Sequence, residues 1–256
     1  LQFDLFDERR HNIFMPRESI PITAGFIKQP WDNYGKMKNQ GAEVTLNINK
    51  QFNKNLFVSL MGTLTYAHNE ITEKDEPAAV VGTNRAETGY PTGQNRGYIA
   101  ERLFTNDDFA DVAAGTLKEG IPAQTFTAKL RPGDIKYVDV NQDGKIDAFD
   151  VSPIGGPINP EIVYGFGLNM KWKDLDFGVL FQGIGRTWNV LSGNIIPASN
   201  KGTTYNIFTN YQDRWTVDNP SQDVFYPRLD YGTNANNSQS STWWLRNMSF
   251  LRMKNI

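Results

Sequence analysis

The sequence predicts an all-β chain that forms part of a transmembrane antiparallel β-barrel, with long loops at one end. Three observations carry this. Apolar and polar residues alternate with period two through several runs of about ten residues. The connections between those runs go long, short, long, short, long, over 7–40, 52–55, 69–161, 173–174 and 189–242. No apolar stretch approaches the ~18 residues of a membrane helix, whereas barrel strands are apolar on one face only.

Composition narrows the function classes. The net charge of −2 in 256 residues gives no basic stripe for nucleic acid. Cysteine is absent, which excludes a disulfide framework and a thiolate metal site. The two histidines, His11 and His68, leave little for a His-rich metal centre or a Ser-His-Asp triad. The chain opens and closes in strand-like sequence, without an initiator Met, so the expectation is a piece of a longer protein.

Leu1, Phe3 and Leu5 alternate with Gln2 and Asp4 as a strand with one apolar face. Residues 7–40 lose that pattern and carry Pro16, Pro21, Gly25, Pro30 and Gly35, so mostly loop is expected there, with extension of the flanking strands as the alternative. Val44, Leu46 and Ile48 share one face of the next strand, and a polar turn follows at 53–55. Leu56, Val58, Leu60, Leu64 and Tyr66 then share a face in a run longer than the usual ~5–6 residues of a soluble strand.

The excursion 69–161 holds a charged patch and one expected short helix, capped by Thr105 or Asn106 with Asp107 and Asp108 in its first turn. Ile162, Tyr164, Phe166, Leu168, Met170 and Trp172 resume the apolar alternation. They turn at Lys173–Asp174 and return through Leu175, Phe177, Val179 and Phe181. Residues 189–242 are polar, and 243–256 read as a last, interrupted strand. Tyr66, Trp172, Trp188, Trp243 and Trp244 stand at strand ends, where they suit interfacial girdles or serve as ordinary core and loop aromatics.

Residues 139–150 carry the one metal-like pattern. Asp139, Asn141 and Asp143 take the first, third and fifth positions of an EF-hand-type loop, with Gly144 at the sharp turn. Lys145 offers its backbone carbonyl, Asp147 takes the ninth position, and Asp150 stands where a bidentate Glu is usual. Such an all-oxygen set suits calcium in a structural role; the alternative is an Asp/Asn/Gly-rich turn without metal. The acidic pairs Asp107–Asp108 and Asp174–Asp176 fit a helix turn and a hairpin turn better than glycosidase carboxylates, so no enzyme is expected. Tyr90, Tyr98, Tyr205, Phe208, Tyr211, Trp215, Tyr226 and Tyr231 either stack on a substrate or pack within the loops.

Longer motifs carry a family resemblance. They are P-G-D-I-K-Y-V-D-V-N-Q-D-G-K-I-D (132–147), P-I-G-G-P-I-N-P-E-I-V-Y-G-F (153–166), F-Q-G (181–183) and S-F-L-R-M-K-N-I (249–256). Fainter echoes lie at 9–21, 36–46 and 213–220. Together they resemble the C-terminal barrel region of SusC/RagA TonB-dependent outer-membrane transporters of Bacteroidetes. The resemblance implies a fragment, residues 1–256, of an about 22-stranded plugged barrel. Its plug and last strands would lie outside this chain, and 69–161 would be a long extracellular loop. It also implies TonB-driven import of glycans or peptides beneath a SusD-like surface lipoprotein. The rival is a secreted, soluble, calcium-binding β-sandwich that binds glycans. It would bring the apolar faces of 42–50, 56–66 and 162–181 together in a core, whereas a barrel turns them outward in one band.

Overall fold

The computed structural model describes residues 1–127, 129–192, 208–230 and 234–256. They fall into two compact units, a wall (1–94, 156–189 and 247–256) and a loop unit (95–155 and 190–246). No α-helix occurs among the described residues, and no helix is long and apolar enough to cross a membrane.

Three long strands open the chain: β1 (Gln2–Pro16), β2 (Trp31–Asn53) and β3 (Leu56–Glu73). Eight short ones follow: β4 (Gln94–Gly97), β5 (Ala100–Leu103), β6 (Phe109–Asp111), β7 (Thr116–Leu117), β8 (Ala123–Gln124), β9 (Ile135–Tyr137), β10 (Lys145–Ile146) and β11 (Ser152–Pro157). Then come β12 (Ile162–Trp172), β13 (Leu175–Gly185), β14 (Trp188–Val190), β15 (Leu245–Asn247) and β16 (Phe250–Asn255). The wall is a six-stranded sheet in the order β1-β2-β3-β12-β13-β16, and all of its pairs are antiparallel.

Register fixes what each face carries. Val44 stands opposite Leu64, Leu64 opposite Tyr164, and Tyr164 opposite Gly183. The next row reads Leu46, Gly62, Phe166, Phe181 and Met253, and the one after it Ile48, Leu60, Leu168 and Val179. The apolar sets of separate strands therefore fall on one face, since side chains alternate and the pairs are directly opposed. The other face aligns Thr45, Thr63, Gly165 and Gln182, then Asn49, Ser59 and Asn169.

The apolar face is not a core. Leu60, Phe166 and Phe177 are 40%, 43% and 41% exposed, and Leu46 is half-buried. The segments that a sandwich would pack face to face lie side by side in one layer. Ile162 to Trp172 spans about 33 Å at ~3.3 Å per residue. At a tilt of ~45° that is a band roughly 23 Å high, close to the ~25 Å of outer-membrane barrels.

The two short turns sit at one edge of the sheet. Asn53 pairs with Leu56 and Trp172 with Leu175, leaving two residues in each turn. The turns are neighbours, with Lys173 N–H donating to Asn55 O at 2.7 Å. The long connections leave from the opposite ends of the same strands.

Several local expectations are corrected. Residues 7–40 are not mostly loop: β1 runs to Pro16 and β2 begins at Trp31. Beyond the apolar band charged and apolar side chains mix without alternation, so the period-two signal vanishes while the ladder continues. Ion pairs such as Lys38–Glu70 at 2.8 Å and Lys36–Glu73 at 2.5 Å line it there. The short helix is a single 3-10 turn, Asn106–Asp108, followed at once by β6. Asp108 folds back to accept from Thr105 N–H at 2.8 Å, which satisfies the turn's own N-terminus and ends it.

Candidate transport wall and its loop unit

Polar residues tie the wall together where its long connections begin. Glu161, buried, hydrogen-bonds His68 Nδ1 and pairs with Arg186 Nε at 2.8 Å, and the Arg186 guanidinium also lies over the Tyr66 ring. One carboxylate thus joins the ends of β3, β12 and β13. A second clasp fixes the β1–β2 connection: Asp75 accepts from Ser19 N at 3.0 Å and pairs with Arg17 Nε at 3.1 Å. On the apolar face, the Tyr164 ring covers Gly183 and its hydroxyl donates to Phe250 O at 3.3 Å. A Cβ on Gly183 would stand 2.3 Å from that ring, so only glycine leaves room.

The loop unit has its own core, of Tyr98, Leu103, Ile135, Tyr137, Ile146, Trp215, Tyr226 and Trp244. A smaller cluster joins Phe104, Phe109 and Leu130. Trp244 is fully buried and Trp243 packs against the same core, so neither serves an interfacial girdle. Tyr98, Trp215 and Tyr226 are core residues as well, which takes them from the set available to stack on a substrate. Tyr90 and Phe208 remain exposed. Tyr205 and Tyr231 lie outside the described residues.

Amide side chains complete the short strand β9. Gln124 donates to Ile135 O at 2.9 Å and accepts from Tyr137 N at 2.7 Å, as a neighbouring strand would. Asn237 Oδ1 accepts from Ile135 N at 2.9 Å, and Asn236 donates to Ile135 O at 2.8 Å. Asp134, wholly buried beside them, accepts from Arg228 Nε at 3.1 Å, Asn234 at 3.0 Å, Asn237 at 2.9 Å and Arg131 N at 2.9 Å. Burial pushes its carboxyl above the usual range, against the pull of Arg228. Amide-rich sequence at 234–242 reads as loop; nothing in its composition says that the amides face inward.

Asp108 behaves oppositely. Burial disfavours its charge, but the Arg102 fork, at 2.7 and 2.6 Å, and the Thr105 N–H outweigh this and hold the carboxyl at about 2, against 3.8. A folded value below the unfolded one stabilises above the unfolded value and fades as pH falls through the folded one. Acidification from pH 5 to 2 is therefore expected to remove about 2 kcal/mol from the loop unit. Hydrogen exchange along 100–137 should show this loss, and Asp108→Asn should flatten it.

The EF-hand-like stretch forms a compact turn. Asp139 accepts from Asp143 N at 3.3 Å and from Gly144 N at 2.8 Å, and Asn141 accepts from Asp143 N at 3.1 Å. Asp143 accepts from Lys145 N at 3.1 Å. Asp147 accepts from Phe149 N at 2.8 Å and pairs with the Lys145 ammonium at 3.1 Å. Asp150 is fully buried, with one oxygen on Val140 N and the other on Asp147 N, both at 2.8 Å. Asp139, Asn141, Asp143 and Asp147 thus lie along one turn, while Asp150 braces it from inside. Among the described residues no three acidic or histidine side chains converge as a metal site. The donors fit a hard cation by type, and holding one requires the turn to tighten.

No protein-family model matches the chain. It is 28% identical over 244 residues, 93% of its length, to TonB-dependent receptor P26 of Formosa agariphila, of which it covers 23%. It is 22% identical over 244 residues to TonB-dependent receptor SusC of Bacteroides thetaiotaomicron, again 93% of its length and 22% of the relative. Among solved structures, the RagAB peptide transporter superposes on 98% of the chain with a TM-score of 0.64 at 24% identity, using 25% of the solved chain. The RagAB peptide importer in its open-open state gives a TM-score of 0.62 at 23% identity, over 98% of this chain and 25% of that one. The chain spans about a quarter of the length of the proteins it matches. The chain thus shares the strand layout of the RagAB barrel and is similar in sequence to TonB-dependent receptors, SusC among them.

Proposed function

We propose that this chain supplies part of the barrel wall and external loops of a TonB-dependent importer in the bacterial outer membrane. The apolar band carries this reading: six strands turn one face outward over a height that matches a thin bilayer, with polar side chains behind. The paired short turns would then lie in the periplasm. The connections at the other end, including 69–161, would lie outside the cell. Glycans or peptides are the substrate classes, a SusD-like lipoprotein the partner over the mouth, and TonB the energy source through parts of the parent protein beyond this chain. Similarity to SusC and to the RagAB peptide transporter supports these roles. Fractionation of cells making the parent protein tests the placement. It should stay in the outer-membrane fraction until detergent is added; release into plain buffer would end the reading.

The role proposed for the 139–150 turn is structural. Calcium would gather Asp139, Asn141, Asp143 and Asp147 with the Lys145 carbonyl, while Asp150 holds the backbone. Chelator is expected to raise protease cutting within 130–155, and added calcium to reverse it. Identical digestion patterns in both conditions would count against the ion.

A further inference from the structure

The two edges of the wall treat their cations differently. Where the long connections begin, Lys36, Lys38 and Arg186 each pair with a carboxylate, at 2.5, 2.8 and 2.8 Å. At the short-turn edge Lys50, Lys54 and Lys173 are exposed, and none has a carboxylate partner among the described residues. Lys171, on the polar face, is matched by Asp176 at 4.0 Å. Asp174 is the one carboxylate in the two turns, so this rim is net positive.

Register sets these lysines against the apolar face. Lys50 continues the outward row of Val58, Met170 and Phe177. One row nearer the turns stand Leu56, Trp172 and Leu175, the last two 49% and 65% exposed. Lys54 lies in the first turn and Lys173 in the second, and the Lys173 N–H joins the two turns through Asn55 O. The Lys173 ammonium reaches back over the Trp172 ring, 5.5 Å from its centroid, which holds this cation on the apolar side of the wall. β2 and β12 are two ladder spacings apart, about 10 Å, so the three lysines frame one patch. Lys173 also has a φ of +53°, the left-handed region that glycine or asparagine fills in two-residue turns. Such departures from local preference gather at functional sites.

The patch calls for a negative head joined to an apolar body. Free phosphate makes no use of Trp172 and Leu175. An acidic protein surface makes none of the unbroken apolar column beyond them: Met170 and Phe177, Leu168 and Val179, Phe166 and Phe181. An anionic glycerophospholipid matches both parts, with an acyl chain along the column and its phosphate among the lysines.

We infer that the short-turn rim binds the headgroup of an anionic glycerophospholipid through Lys50, Lys54 and Lys173, with Trp172 beside its glycerol. The inference rests on the importer reading, which turns this rim towards the periplasmic leaflet. Native mass spectrometry of the detergent-solubilised full-length parent protein tests it, by titration with dioleoylphosphatidylglycerol and separately with dioleoylphosphatidylcholine. Phosphatidylglycerol is expected to bind about fivefold more tightly, or better. Lys50→Gln with Lys54→Gln and Lys173→Asn should bring the two lipids level, and asparagine keeps the backbone of the turn. Lys36→Gln with Lys38→Gln, at the opposite edge, should leave the preference intact. Equal binding of the two lipids, a preference that survives the triple substitution, or one that the Lys36 and Lys38 pair also removes would each overturn it. So would full competition by glycerophosphate, which would make the rim a site for soluble phosphate. Binding of hexaglutamate in place of the lipid would overturn it too, and give the rim to an acidic protein. Outer-membrane fractionation reads the importer placement separately, so a failure here leaves that reading standing.

Discussion

Phe166→Arg is expected to destabilise the wall by ~2–4 kcal/mol, the cost of a cation at the middle of a barrel's lipid face. Phe166 is central among the outward rows between Ile162 and Trp172, and its ring stacks on Phe181 at 5.1 Å. Nothing in its row offers a counter-charge: its neighbours are Leu46, Gly62, Phe181 and Met253. A control separates lipid from mere crowding. Thr63→Arg, one residue further along and on the opposite face beside Gly165 and Thr45, is expected to change stability by less than ~0.5 kcal/mol, as surface substitutions do. Urea unfolding of the parent protein in detergent, followed by tryptophan fluorescence, measures both. Equal effects would mean that the two faces meet the same solvent, and the membrane band would fail.

The wall was legible from sequence wherever lipid was expected to dictate it. Leu46, Leu60, Phe166 and Phe177 announce one face because a bilayer demands apolar side chains at every second residue. Where β1 and β2 pass beyond the band, water accepts either polarity. Asp7, Glu8, Arg9 and Arg10 then carry no alternation, although they pair in register with residues 37–40. The loop unit was hidden for a different reason. Its order comes from contacts between residues about a hundred positions apart, such as Asp134 with Asn234 and Asn237. Short strands of two or three residues leave no period to read.

The loop unit stands on Asp134 as the wall stands on its apolar face, and its removal makes the second large prediction. Asp134→Ala is expected to cost ~3–5 kcal/mol, because it leaves Arg228 and two inward-facing asparagines without their common acceptor. Asp134→Asn should cost less, ~1–3 kcal/mol: one amide oxygen still accepts and Arg228 keeps Asp230 at 2.9 Å, but the NH2 group replaces one of two oxygens that both accept from donors. The raised carboxyl points the same way. Its folded value lies above the unfolded one, so its contribution is complete in acid and declines as pH rises through the folded value. Acid loss of the loop unit must then follow Asp108, and Asp134→Asn should leave that profile in place. Hydrogen exchange decides the matter. Asp134→Ala should release the amides of Ile135–Tyr137 while those of Ile162–Trp172 stay protected, and Phe166→Arg should do the reverse. If either substitution loosened both segments equally, the wall and the loop unit would be one cooperative body rather than two.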